Sequence, residues 1–361
     1  GLRKARRVRY GDLMGGGRPL LQHRCGQLWR WLRLMRLRHT LLRGGLLRGG
    51  LLRLRSRHWR WRHVGGLGTW RTLHAETGFC EVRRELVEDE TIFSALRAEG
   101  RGALIPFLEA YDPDAETSMA ILRGMPGAGA DLIEIGMPFT DPMADGPTVQ
   151  AAGLRGLKAG ATLARTLAMV RDFRLDDDAT PVILMGYLNP IASYGPERFC
   201  TDAAAAGVDG LIVVDLPTEE ADLLAGHAKA QDLDIIRLVA PTTDAARLPL
   251  VLDGSSGFVY YVSITGITGT RSATADSLAA AMPRVRAATD LPIAIGFGIR
   301  TPAQAAEAVQ VADAVVVASA LIDTLSASLD AQGRPAPDTV QRVLDQVRGL
   351  ADAVRHARVP A

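Results

Sequence analysis

Two carboxylates stand where chemistry is expected. Glu134 is the single ionisable residue of the apolar run Leu132-Ile133-Glu134-Ile135-Gly136. Burying a carboxylate there without a partner is costly, so its pKa is expected to rise toward the range of a proton-shuttling acid/base. The competing reading is a structural carboxylate tied to backbone amides. Asp145 follows eleven residues later in the Pro- and Gly-studded stretch Pro142-Met143-Ala144-Asp145-Gly146-Pro147. It is either a second charge for the same reaction or plain Asp-Gly turn chemistry. Anion binding has its own candidates. Gly296-Phe297-Gly298-Ile299, Ala318-Ser319-Ala320 and the loop Thr265-Gly266-Ile267-Thr268-Gly269-Thr270 are small or hydroxyl-rich. Such residues let backbone N–H groups approach a phosphate, and the long loop is a candidate lid. Between residues 103 and 330 the one histidine is His227, within a helical stretch, and no lysine ends an apolar run. That argues against a His-based metal centre or triad and against a Schiff-base lysine. No metal site is expected, and the chemistry falls to carboxylates, hydroxyls and amides.

The elements that must carry these residues alternate regularly. Runs rich in Val, Ile and Leu occupy 103–108, 132–136, 182–187, 210–215, 235–240, 258–263, 293–298 and 314–320. Continuous apolar runs of this length mark parallel strands covered on both faces. Helical periodicity lies between them, at 114–122, 163–173, 197–206, 219–230, 277–288 and 302–309, with 339–355 closing the chain. Asp114 and Thr301-Pro302 read as helix starts. Eight strand–helix units predict an α/β fold of the (β/α)8 TIM-barrel class, spanning 89–361. A doubly wound open sheet is the alternative, but no Gly-rich dinucleotide fingerprint follows the first strand. In a barrel, catalytic groups come from the C-terminal strand ends, which is where Glu134 and the three anion-binding candidates fall.

Residues 1–88 have a different composition. The chain of 361 residues carries a net charge of +2. Its first 75 residues hold 19 Lys and Arg against the single acid Asp12, leaving the remainder at −16. All five tryptophans lie there too, at 29, 31, 59, 61 and 70. Paired glycines interrupt helices and arginines interrupt every apolar face, so this basic low-complexity segment reads as disordered. Competing readings are nucleic-acid contact, a membrane-surface helix or a targeting leader. Nucleic acid is not expected as the functional partner. Three cysteines without metal spacing suit a reducing compartment, and no apolar run approaches bilayer length, so a cytoplasmic location and no membrane partner are expected.

The stretch Ile133-Glu134-Ile135-Gly136-Met137-Pro138-Phe139-Thr140-Asp141-Pro142-Met143-Ala144-Asp145-Gly146-Pro147-Thr148-Val149-Gln150 resembles the signature of the tryptophan synthase alpha subunit. Leu184–Pro190, Val214–Pro217, Gly266–Gly269 and Gly296–Ile299 follow in that family's order and spacing, so the resemblance spans about residues 90–325. It implies a lyase of tryptophan, and so aromatic amino-acid, biosynthesis. The reaction is retro-aldol cleavage of indole-3-glycerol phosphate to indole and glyceraldehyde 3-phosphate. Glu134 would be the acid/base, and Asp145 would accept the indole N–H. Phe107, Tyr187, Tyr260 and Phe297 would surround the indole, with Thr268 closing onto Asp145. Gly269, Gly298 and Ser319 would hold the phosphate. Pro138 and Asp141 would face a beta subunit in an alpha2-beta2 heterotetramer, with indole channelled between subunits. This chain would need no cofactor, since pyridoxal phosphate would sit in the beta subunit. Tyr111 and Ala318 stand where the family more often has glycine.

Overall fold

A computed structural model describes residues 91–263, 275–296 and 298–357. The basic segment 1–88 lies outside the described residues. The eight apolar runs all form strands at a barrel position: β1 (Ala103–Glu109), β2 (Ile133–Gly136), β3 (Val182–Gly186), β4 (Gly210–Val213), β5 (Asp234–Ile235) with β6 (Arg237–Val239), β7 (Val259–Val262), β8 (Ile293–Gly296) and β9 (Ala314–Val317). Every pairing is parallel, in the order β5-β4-β3-β2-β1-β9-β8-β7-β6. β5 and β6 are one barrel position interrupted at Ile236, whose N–H still donates to Leu211 on β4. The two ends of the list therefore adjoin, and the sheet is a nearly closed barrel. This is the expected TIM-barrel class.

Helices cover the outside. They are α1 (Ile92–Ala98), α2 (Ala115–Ala128), α3 (Pro147–Lys158), α4 (Leu163–Phe173), α5 (Leu188–Tyr194), α6 (Pro196–Ala206), α7 (Ala225–Ala230), α8 (Leu248–Leu252), α9 (Ala275–Arg286), α10 (Pro302–Val311), α11 (Ser319–Ala327) and α12 (Thr339–His356). The expected caps form. Asp114 accepts the Thr117 N–H, and Thr301 makes a capping box with Gln304 ahead of Pro302. Three expectations need correction. The helix read at 114–122 continues to Ala128 and stops at Gly129, which has φ 105. The helix read at 219–230 divides into a 3-10 turn (Thr218–Leu223) and α7. The turn buries no residue and so lacks an apolar stripe, while Leu224 after it is fully buried. The strand read through Ala320 ends at Val317, and Ser319 opens α11 instead.

Strand alternation sorts the core into layers. Leu104, Ile133, Ile135, Leu184, Val315 and their neighbours face the helices. Ile105, Leu132, Ile183, Ile212, Phe258 and Val316 fill the barrel, plugged by Ile92, Phe93 and Leu96 of α1. A third cluster of Phe107, Val149, Ala152 and Ile322 lies apart from these, with Met185 and Ala318 packed on it. Phe107, near the C-terminal end of β1, places this cluster at the barrel mouth.

The N-terminal end of the barrel is tied by a repeated device. Asp131, Asp209 and Asp313 each precede a strand and accept the backbone N–H of the adjacent one, from Leu104 at 2.9 Å, Val182 at 2.8 Å and Ile293 at 2.9 Å. Each also meets an arginine: Arg101 at 2.9 Å, Arg174 at 2.6 Å and Arg286 at 3.1 Å. The Arg174 side chain is 7% exposed, so losing its partner leaves a charge out of water. Asp209→Ala is expected to cost about 3 kcal/mol, seen as a Tm roughly 6–12 °C lower in thermal unfolding. Asp176→Ala, which breaks only the exposed pair with Arg123, should cost under ~1 kcal/mol. Equal effects of the two would refute the clamp.

Candidate active site

Glu134 sits in register with Phe107 on β1 and Ile183 on β3, so its side chain shares the inward layer of both. It is 1% exposed, and its Oε2 has no hydrogen-bond partner among the described residues. Burial pushes its carboxyl up to about 8, and the nearby Asp145 carboxylate adds to the rise. The carboxyl is therefore a neutral acid at neutral pH with one oxygen uncommitted. The alternative of a carboxylate tied to backbone amides is not what the structure contains.

Asp145 reaches the same region from the loop between β2 and α3. Burial lifts it to about 6, and a hydrogen bond from the Tyr187 hydroxyl opposes the rise. Tyr187 lies just beyond β3, and its own oxygen accepts the Ala144 N–H at 3.1 Å. The Gln150 side chain donates to the Asp145 carbonyl at 2.8 Å, and the Phe139 ring lies 5.5 Å from that of Tyr187. The loop is thus tied to β3 and α3, which fixes the direction of the carboxylate. The simple turn reading of Asp145 does not account for these ties. At neutral pH the pair offers one acid and one base in neighbouring positions.

The other expected residues fall as follows. Phe107 is buried in the mouth cluster. Tyr260 is buried on β7 against Gly296, where an added Cβ would lie 2.1 Å from its hydroxyl oxygen. Gly296 therefore makes room for Tyr260. Gly298 has φ 78, a conformation that favours glycine, and Ser319 is half-buried as the first residue of α11. Pro138 is half-buried near Gly156 of α3, and Asp141 is exposed. Thr268, Gly269 and Phe297 lie outside the described residues. Three further residues were missed: Glu109, Gln150 and Met185 line one cavity with Asp145 and Tyr187. Glu109 carried the same signal as Glu134, an ionisable group at the end of an apolar strand. Gln150 carried none, because its role is a single bond to the Asp145 backbone.

The family model described as tryptophan synthase alpha chain matches residues 93–355. Among curated relatives, the tryptophan synthase alpha chain of Granulibacter bethesdensis is 72% identical over 272 residues, covering 75% of this chain and 98% of the relative. That of Acidiphilium cryptum is 69% identical over 266 residues, covering 74% and 96%. Among solved structures, the alpha subunit from Legionella pneumophila aligns with a TM-score of 0.67 at 37% identity, covering 73% of this chain and 96% of that one. A tryptophan synthase structure from Mycobacterium tuberculosis aligns at 0.66 and 36%, covering 73% and 96%.

This chain belongs to the tryptophan synthase alpha chain family.

Two departures from the tryptophan synthase alpha pattern now have physical content. Tyr111 has φ 67, the left-handed region where glycine is at ease and a tyrosine is strained by roughly 1 kcal/mol. Ala318, at φ −116, needs no such freedom, and its methyl packs on the mouth cluster beside Phe107. Glu134 also sets a pH dependence. Its carboxyl titrates at its ordinary 4.5 when unfolded and at about 8 when folded. The folded chain binds the extra proton between those values, so stability falls as pH rises through that window. At about 1.36 kcal/mol per unit, the loss by pH 8 is on the order of 4 kcal/mol. Glu134→Gln has no such proton to lose. It should unfold at a higher temperature than wild type at pH 8.5, the gap closing toward pH 4.5. Parallel Tm-versus-pH curves for the two proteins would contradict the burial of an acid at this position.

Proposed function

We propose that this chain cleaves indole-3-glycerol phosphate by a retro-aldol reaction, giving indole and glyceraldehyde 3-phosphate for tryptophan biosynthesis. The observation that carries the reading is Glu134: a carboxyl taken out of water that keeps its proton to about pH 8, with the Asp145 carboxylate beside it.

The chemistry needs such a pair. Protonation of indole C3 by Glu134 makes the indolenine cation, and the Asp145 carboxylate accepts the ring N–H and offsets the positive charge. Glu134, now ionised, takes the proton from the side-chain hydroxyl. The C–C bond then breaks, its electron pair returns to the indole ring, and the side chain leaves as the aldehyde. One carboxyl thus ends protonated as it began, holding the hydroxyl's proton in place of the one given to C3. Phe107, Tyr260, Phe297 and Tyr187 wall the indole, with Tyr187 also holding Asp145. Gly298 and the helix start at Ser319, with Gly269, bind the phosphate through backbone amides. Thr268 closes onto Asp145.

The product passes to a beta subunit in an alpha2-beta2 tetramer. Asp141, exposed on the loop after β2, and Pro138 lie on the face turned to it. Pyridoxal phosphate belongs to that partner, and this chain works without a cofactor of its own. The catalytic unit is the barrel from residue 89 onward. No helix among the described residues is long and apolar enough to cross a membrane.

Glu134→Gln keeps the shape and removes the transferable proton, so indole release should fall by ~10²–10⁴-fold with or without added beta subunit. Asp145→Asn should be severely impaired as well. In wild type, kcat/KM should rise through about pH 6 as Asp145 ionises and fall through about pH 8 as Glu134 loses its proton. Near wild-type indole release by Glu134→Gln would end the proposal.

A further inference from the structure

We propose that Glu109 is a positioning residue of the lyase site: a third carboxyl at the barrel mouth that stays a neutral acid, leaving Asp145 as the one negative charge on its wall of the cavity. The inference rests on the reading of Asp145 as the indole-binding carboxylate.

Glu109 is the last residue of β1, two positions after Phe107 and so on the same inward face, and it pairs in register with Gly136. It is 5% exposed. Gly136 makes the slot for its carboxyl, and Gly153 borders it at ordinary contact distance. A Cβ on Gly136 of β2 would lie 2.2 Å from Glu109 Oε2, and one on Gly153 of α3 would lie 3.7 Å from Oε1. Any side chain at Gly136 would displace the carboxyl. The slot opens on the cavity that Glu109 shares with Asp145, Gln150 and Tyr187.

The charges around it favour the acid form. Asp145 faces it from the loop after β2, Asp112 from the turn after β1, and Arg155 from α3. Arg155 is committed to Asp112 by two hydrogen bonds, at 2.6 and 2.8 Å. Burial therefore pushes the Glu109 carboxyl well above its ordinary range. Asp145 and Asp112 push it further, and Arg155 opposes them least of all. Among the described residues no three such side chains converge to hold a metal ion, so this crowding is not a cation site.

A neutral acid does for Asp145 what an ionised one would undo. On the cavity wall it shares with Asp145, a protonated Glu109 supplies an O–H that can turn to that carboxylate, and donors hold a carboxylate ionised. A second negative charge would instead drive Asp145 to take up a proton and release the indole N–H. Glu109 touches no reacting atom in this scheme and acts only through Asp145.

Infrared difference spectra of the full chain at pH 7, wild type minus Glu109→Gln, should show the C=O band of a protonated carboxyl. In the kcat/KM profile for indole release, Glu109→Leu keeps the volume and removes the donor. Its acid limb should move up by about one pH unit, with kcat/KM about fivefold lower at pH 6 and about tenfold lower well below it. Glu109→Gln, a neutral donor, should restore the wild-type limb. Carboxylate bands in place of the C=O band, or a Glu109→Leu profile overlying wild type, would overturn the inference. The infrared band reports on Glu109 alone. Its absence alongside a crippled Asp145→Asn enzyme would therefore sink this inference and leave the reading of Asp145 standing.

Discussion

A carboxyl that cannot be hydrated must either find a cation or keep its proton, and this barrel divides its acids between those two outcomes by end. At the N-terminal end Asp131, Asp209 and Asp313 each meet an arginine and a backbone N–H, and they join neighbouring strands. At the C-terminal end Glu134 and Asp145 lie near each other and a tyrosine hydroxyl, and among the described residues no cation shifts either of them. The residue chemistry is nearly the same at both ends. The partners differ, and they convert one set into structural ties and the other into proton carriers. Asp112 with Arg155 is the exception at the mouth, and it occupies the arginine that acts on Glu109 among the described residues.

This polarity explains how a site that weakens the fold is tolerated. Glu134 destabilises the folded chain progressively above its ordinary titration range, because the protein must hold a proton that the unfolded chain would release. The cost is confined to one layer. Beneath it the barrel interior is continuous hydrocarbon from Ile105 to Phe258, plugged by α1, and outside it the strand–helix layer holds most of the buried apolar side chains. Glu134, though a buried acid beside another carboxyl, sits on a strand whose backbone is bonded on both sides. Proton affinity is therefore raised without loosening the position of the group.

The strands were legible because a parallel strand covered on both faces shows its burial as an unbroken apolar run, and all eight positions were found. The fifth run hid a break at Ile236, since an apolar run does not register where a strand's pairing passes from one neighbour to the other. α3 was not read as a helix, for its start is Gly146-Pro147 in a stretch dominated by turn residues and its cap uses no side chain. Glu134 was legible on the same ground as the strands, as a charge where none should be. Asp145 was legible from its residues only as one of two readings, a second charge or a turn residue, and the family resemblance chose between them. Its neighbours Tyr187 and Glu109 are distant in sequence, and only the closed barrel brings them together. Glu109 carries the same mark as Glu134, a charge closing an apolar strand.

Glycines at the strand ends show the deeper limit of sequence reading. Small residues after the seventh and eighth strands suggested amides free to approach a phosphate, and Gly298, at φ 78, remains consistent with that. Gly296 is different: it is small because the Tyr260 hydroxyl occupies the space of its missing side chain. Gly136 does the same for Glu109 and Phe107. A glycine records that something comes close, and only the partner strand says what. At the mouth of this barrel the approaching groups are the phenol and the carboxyl that border the acid/base pair. The absent side chains of Gly136 and Gly296 are therefore as much a part of the site as the carboxyls themselves.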